Sequence, residues 1–254
     1  MLSKIVIFSV LLVCGFANRR ELTQEQLKKL ASWEDGKKHM WVESGQIEGD
    51  MILQPGQRNG LIDTRYRWTN NEVPYELDPA FNEEEAAAIH EAVKEIANVS
   101  CVTVRPRRAG EQNYVYVTGT DTGCWSWVGM LRGRQELNLQ RRGCIWHEII
   151  VHEFLHAIGF YHEQSNYNRD DHVTIIWENI IRGMEHNFDK FGEDYITTFG
   201  QPYDYGSIMH YHETAFTNNG EPTIVPHNDA WIGHLGLAEV MSEIDIIKLN
   251  KMYC

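Results

Sequence analysis

Basic residues are scarce in this chain. Twenty-three lysines and arginines stand against 36 aspartates and glutamates, a formal net charge of −13. That shortage argues against a nucleic-acid partner, because phosphate contacts need a cationic face. It favours solubility and leaves the substrate open. Long apolar runs are also missing. The stretch from Ile5 to Val13 is well short of the roughly 18 to 20 residues that cross a bilayer, and nothing later is long enough, so no membrane anchor is expected. There is no internal repeat and no low-complexity tract, and the otherwise ordinary composition sets aside disordered and fibrous classes. With 254 residues the chain has room for one sizeable core, or one domain plus processing segments.

What is present begins at the N-terminus. Lys4 precedes the apolar run, and Gly15-Phe16-Ala17 puts small residues at both positions that determine cleavage, which reads as a signal peptide over 1–17. Of five cysteines, Cys14 leaves with that signal. Cys101, Cys124, Cys144 and Cys254 remain as an even set in an oxidising compartment, so two disulfides are expected, in any of three pairings. The triplet Asn98-Val99-Ser100 is a glycosylation sequon and agrees with a secreted, extracellular protein.

From Arg19 to about Arg58 the chain is polar, with one helix-like piece at Thr23 to Trp33, and reads as an appendage outside the core. It ends in turn formers beside a basic residue, Gln54-Pro55-Gly56-Gln57-Arg58-Asn59-Gly60, a stretch expected to be exposed and cleavable. We read 18–58 as a pro-segment, with cleavage between Arg58 and Asn59, and 59–254 as the mature domain. That domain starts with a strand at Val73 to Leu77. A helix capped by Asn82 follows, running to about Ala97, with Glu83, Glu84 and Glu85 where the helix dipole favours acids. Further strands are expected at Val102 to Val104, Tyr114 to Thr118 and Glu136 to Leu139, with a glycine-rich turn region around Cys124 to Gly133. A second helix should run from near Cys144 to Gly159 and a last one from Ser242 to Met252. The fold class is α+β, regular in its first half and loop-rich in its second.

The chemistry concentrates at His152-Glu153-Phe154-Leu155-His156-Ala157-Ile158-Gly159-Phe160-Tyr161-His162. In a helix, His152 and His156 are one turn apart and share a face, so both imidazoles can reach one ion. Gly159 can take the left-handed conformation that ends the helix, and the returning chain then brings His162 to the same ion. Three neutral imidazoles suit a single zinc ion and leave one position for water, as a catalytic site requires. Glu153 can reach that water without ligating the metal and act as general base. His147-Glu148 begins a similar pattern, but Val151 stands where a second ligand would be needed, so His147 reads as structural. Downstream lies Ser207-Ile208-Met209-His210-Tyr211.

Taken together, these stretches resemble the astacin family of metzincin zinc endopeptidases. The matching pieces are HEFLHAIGFYHE at His152 to Glu163, SIMHY at Ser207 to Tyr211, CWSWVG at Cys124 to Gly129, NRDDHV at Asn168 to Val173 and a terminal NKMYC. Glu148, Asn166-Tyr167-Asn168 and His212 depart from the residues usual in the family, and none of them replaces a ligand or the base. The resemblance implies a two-subdomain zinc protease with a mixed sheet, two main helices and a substrate cleft. It implies zinc on His152, His156 and His162, with Met209 in a turn beneath the metal. Tyr211 would rest at the metal and swing to hydrogen-bond the tetrahedral oxyanion. The disulfides would be Cys101 to Cys254 and Cys124 to Cys144, and the new N-terminus at Asn59 would approach Glu163. Ile47-Glu48-Gly49-Asp50 resembles the aspartate motif by which such precursors block their own zinc, with Asp50 as the zymogen ligand. The function expected is that of a minimal, monomeric, secreted endopeptidase acting on protein or peptide substrates. Two rivals fit less well. A zinc protein that only binds would not need Glu153 and Tyr211, and carbonic anhydrase-like hydration needs neither a pro-segment nor Met209.

Overall fold

The computed structural model describes residues 19–33, 40–54 and 63–254. The signal peptide read at 1–17 and the cleavage site read between Arg58 and Asn59 lie outside the described residues. Helix α1 (Gln24–Ala31) is opened by Thr23, whose side chain and that of Gln26 cap each other's backbone. Strand β1 (Met51–Ile52) follows. Residues 63–254 contribute β2 (Glu72–Leu77), α2 (Glu83–Ala92), α3 (Lys94–Val99), β3 (Thr103–Pro106), β4 (Tyr114–Thr118), β5 (Cys124–Trp127) and β6 (Arg134–Leu139), then α4 (His147–Ile158), β7 (Val173–Ile175), β8 (Ile224–Pro226) and α5 (Glu243–Tyr253).

The main sheet has the order β1-β5-β6-β4-β2-β3, and a second, two-stranded sheet pairs β7 with β8. It is mixed, since β5 runs antiparallel to β6 while the other main-sheet pairs are parallel. Helix α4 packs on β5, β6 and α2, and every residue from Ile149 to Ile158 is buried. Over that stretch the helix has no solvent-exposed face, so its position is fixed on all sides before any metal is considered. Disulfide Cys124–Cys144 ties β5 to the approach of α4, and Cys101–Cys254 ties the C-terminus to the chain just before β3.

Three readings change. The helix expected from Asn82 is capped as foreseen, with Glu85 completing the box, but it is divided into α2 and α3 at Val93. The region read as turn around Cys124 contains strand β5. Its burial leaves no alternation of apolar and polar residues, the only strand signal a sequence of four residues could offer. The appendage reading is corrected outright. Leu30, Trp33, Trp41, Val42, Met51 and Ile52 are all buried, and β1 lies parallel to β5 as an edge strand, Met51 opposite Ser126 and Ile52 opposite Trp127. The segment is polar in composition because its apolar residues are few. Those few are large, and they are buried.

Candidate metal centre

Helix α4 sets out two imidazoles. His152 and His156 lie a turn apart, with Nε2 atoms 3.1 Å from each other. Gly159 ends the helix at φ 124°, a conformation that a side chain would strongly disfavour. Three residues later His162 Nε2 lies 3.3 Å from His152 Nε2. Asp50, just before β1, closes the group, with Oδ2 3.0 Å from His152 Nε2 and Oδ1 3.5 and 3.3 Å from Nε2 of His156 and His162. All four residues are buried. Donors held about 2.0 to 2.1 Å from zinc at tetrahedral angles stand about 3.3 to 3.4 Å apart. The measured separations bracket that value, so three imidazoles and one carboxylate fit a single zinc ion.

The outer nitrogens say which tautomer each ring adopts. His152 Nδ1 donates to the Ile208 carbonyl and His156 Nδ1 to the Phe160 carbonyl, each at 2.8 Å. A carbonyl oxygen can only accept, so the proton sits on Nδ1 and the Nε2 lone pair faces the metal position. His162 Nδ1 donates to Glu48 Oε2 at 2.8 Å. Such outer partners orient ligands and raise their basicity.

The methionine turn is built from the other end of the chain. Asp245 on α5 accepts from Ser207 Oγ at 2.7 Å and from the Ile208 amide at 3.0 Å. Ile208 then meets His152, as above, while the Met209 carbonyl accepts from the Glu163 amide at 3.0 Å. Met209 is itself buried. The turn therefore braces the first ligand and the residue following the third.

Glu153 is fully buried, and neither carboxylate oxygen has a hydrogen-bond partner among the described residues. A buried carboxylate without donors is energetically costly, and its persistence in a native fold calls for a reason such as a catalytic role. Burial, and then the neighbouring charge of Asp50, push its carboxyl well above the ordinary value. For Asp50 burial acts in the same direction, but His162 and His156, with hydrogen bonds from His152 and His156, outweigh it and hold the carboxyl well below its usual range. The Tyr211 phenol is pushed well above its ordinary value by burial, then by Glu48 and Asp50, so it stays a donor, and its hydroxyl donates to the Glu48 carbonyl at 2.6 Å.

Sequence reasoning missed several neighbours. Trp41, from the stretch between α1 and β1, stacks on His152 with ring centroids 4.2 Å apart and on His162 at 5.0 Å. Gln164 Oε1 accepts from the Tyr211 amide at 3.0 Å. No local signal marks either one, because both are identified only by what they touch. Glu163 is paired with Lys248. Asn98 is exposed on α3, and His147 is exposed and bonded to Glu95, away from the cluster.

A helix, a glycine stop and a returning loop that gather three imidazoles above a methionine turn define a zinc metallopeptidase centre. The family model for Astacin, a peptidase family, matches residues 60–254. Zinc metalloproteinase nas-6 of Caenorhabditis elegans is 38% identical over 225 residues, covering 85% of this chain and 64% of its own length. Low choriolytic enzyme of Oryzias latipes is 42% identical over 218 residues, covering 82% and 77%. Among solved structures, High choriolytic enzyme 1, a hatching enzyme zinc-protease from the same fish, superposes with a TM-score of 0.70 at 35% identity, covering 75% of this chain and 96% of that one. The chain belongs to the astacin family. It spans 34% to 64% of the length of several Caenorhabditis elegans relatives.

Proposed function

We propose that this chain is a secreted, monomeric zinc endopeptidase held silent by its own residues 18–58 and released by cleavage between Arg58 and Asn59. One observation carries the reading: the Asp50 carboxylate joins three imidazoles in one buried group of ligand atoms, all within 4.8 Å of one another, while a second buried carboxylate, Glu153, has no partner among the described residues. Zinc in this set would supply Lewis acidity and a bound water acidified towards pH 7. In that setting His152, His156 and His162 hold the metal. Glu153, next to the first ligand and free of other partners, takes a proton and passes it to the leaving amine. Tyr211, released from the Glu48 carbonyl, donates its hydroxyl to the oxygen that becomes negative in the transition state.

The two disulfides require an oxidising compartment. No helix among the described residues is long and apolar enough to cross a membrane. The disulfides support the signal peptide read at 1–17, as does the exposed sequon at Asn98. Asn59, once freed, would approach Glu163, and Met209 would remain the floor of the site.

The test is proteolysis of azocasein or gelatin by the processed chain. It should carry one zinc per chain, lose activity to a chelator and regain it on adding zinc. Activity indifferent to chelation would refute this reading.

A further inference from the structure

The three ligand histidines differ in one respect. His152 and His156 donate their outer proton to carbonyls of the mature part, Ile208 and Phe160, whereas the acceptor for His162 is a pro-segment carboxylate. Glu48 Oε2 accepts from His162 Nδ1 at 2.8 Å and from Ser165 Oγ at 2.9 Å. Glu48 and Ser165 are both buried, at 2% and 0% exposure. The backbone is arranged for this contact. Residues 46 to 51 close on themselves in a tight turn, with paired hydrogen bonds between Gln46 and Gly49 and between Ile47 and Met51. Glu48 takes φ +48° and Gly49 φ +91°. The first is a conformation that a non-glycine residue adopts uncommonly. At the second, a Cβ would lie 2.7 Å from the Val42 carbonyl oxygen. The turn thereby aims two carboxylates at one cluster: Asp50 at the metal position, and Glu48 at the outer nitrogen of the third ligand.

We propose that His162 Nδ1–H and Ser165 Oγ–H form a carboxylate-binding site behind the third zinc ligand, filled by Glu48 in the precursor as a second hold on the pro-segment. The inference rests on the zinc-site reading above, and goes beyond it in assigning a ligand class and an occupant to a pair of donors outside the metal sphere. An anionic acceptor on Nδ1 makes the imidazole a stronger donor to zinc at Nε2. Glu48 therefore tightens metal binding in the precursor without touching the metal. The same residue's carbonyl holds the Tyr211 hydroxyl, so one residue engages both the third ligand and the phenol. Asp50 and Glu48 are separated by one residue, and displacement of the segment breaks both contacts together.

The experiment uses the full-length, zinc-loaded precursor and follows zinc release to a chromogenic chelator. Glu48→Ala should speed release about 10- to 100-fold. Glu48→Gln keeps the shape, and its amide oxygen in the place of Oε2 can still accept both bonds, but it carries no charge, so it should fall between. Ser165→Ala should speed release in the natural background and add nothing in the Glu48→Ala background, because its partner is already gone. Release from Glu48→Ala and Glu48→Gln at the natural rate would overturn the proposal, as would a Ser165→Ala effect of equal size in both backgrounds. The conservative Glu48→Gln keeps the test usable if Glu48→Ala does not fold. Failure of the natural precursor to hold one zinc would instead count against the zinc-site reading itself, which separates the two.

Discussion

Lys248 on α5 donates to Glu163 Oε2 at 2.6 Å, and both side chains are buried. Glu163 directly follows the third zinc ligand and also accepts from the Asp204 amide at 3.0 Å. The carboxylate expected to meet the new N-terminus is therefore already paired within the precursor, by a lysine from the far end of the chain. Removing one member of a buried pair leaves the other uncompensated. Lys248→Met should destabilise the precursor by about 3 to 5 kcal/mol, measured by urea unfolding. A loss under about 1 kcal/mol, the range of surface pairs, would show that the pair is not acting as a buried one.

Glu153→Ala leaves the imidazoles and their outer partners untouched. Zinc should stay at one per chain while turnover falls by about two to four orders of magnitude. Tyr211→Phe removes a bond that forms only in the transition state, so it should lower kcat by less and leave KM nearly unchanged. Steady-state kinetics with metal analysis checks both, and a Tyr211→Phe effect confined to KM would contradict the assigned role.

Precursor latency tests Asp50. The Asp50→Ala precursor should cleave casein before any processing at Arg58, whereas the unmodified precursor should not. Its rate should stay below that of processed enzyme, because Trp41 still covers His152 and His162. If both precursors are equally silent, steric cover alone keeps the zymogen inactive.

Asp204 lies beneath this network, with its side chain bonded to Ser242 and the Gly206 amide. Burial, and then the Asp245 charge, push its carboxyl up to about 6. An unfolded aspartate titrates near 3.9, so between about pH 4 and pH 6 the folded chain holds a proton that the unfolded chain has lost. This contribution to stability is present below that window and is lost as pH rises through it. Asp204→Asn abolishes the loss, and its stability relative to the natural chain should improve by on the order of 3 kcal/mol from pH 4 to pH 7. Urea titrations at each pH measure the difference; a constant gap would refute the assignment.

The disulfide Cys124–Cys144 spans 20 residues. Replacing both cysteines by serine should lower stability by about 3 kcal/mol in the chain-entropy model, and thermal unfolding under non-reducing conditions gives the value.

Much of the site was legible in the sequence because its information is local. Two histidines one turn apart, a glycine that stops the helix and a third histidine after it fall within 11 residues, and helical geometry alone brings the first two together. Likewise Asn82 with Glu85 and Ser242 with Asp245 sign their own helix starts. Asp50 was legible only through a resemblance, since a single acid in a polar leader has no periodicity to mark it. Tertiary structure decided the rest. The spacing of four cysteines permits three pairings, and packing selects one by proximity. Trp41 and Glu48 meet His152 and His162 across more than a hundred residues. The polar leader enters the core because a few large side chains and one edge strand are covered there, an energy that appears only once β5 and α4 exist to receive them. Sequence by itself determined the three clustered imidazoles, which depend on neighbours a turn or two away. Which residues brace and cover them was decided by long-range packing, whose partners no short window of sequence contains.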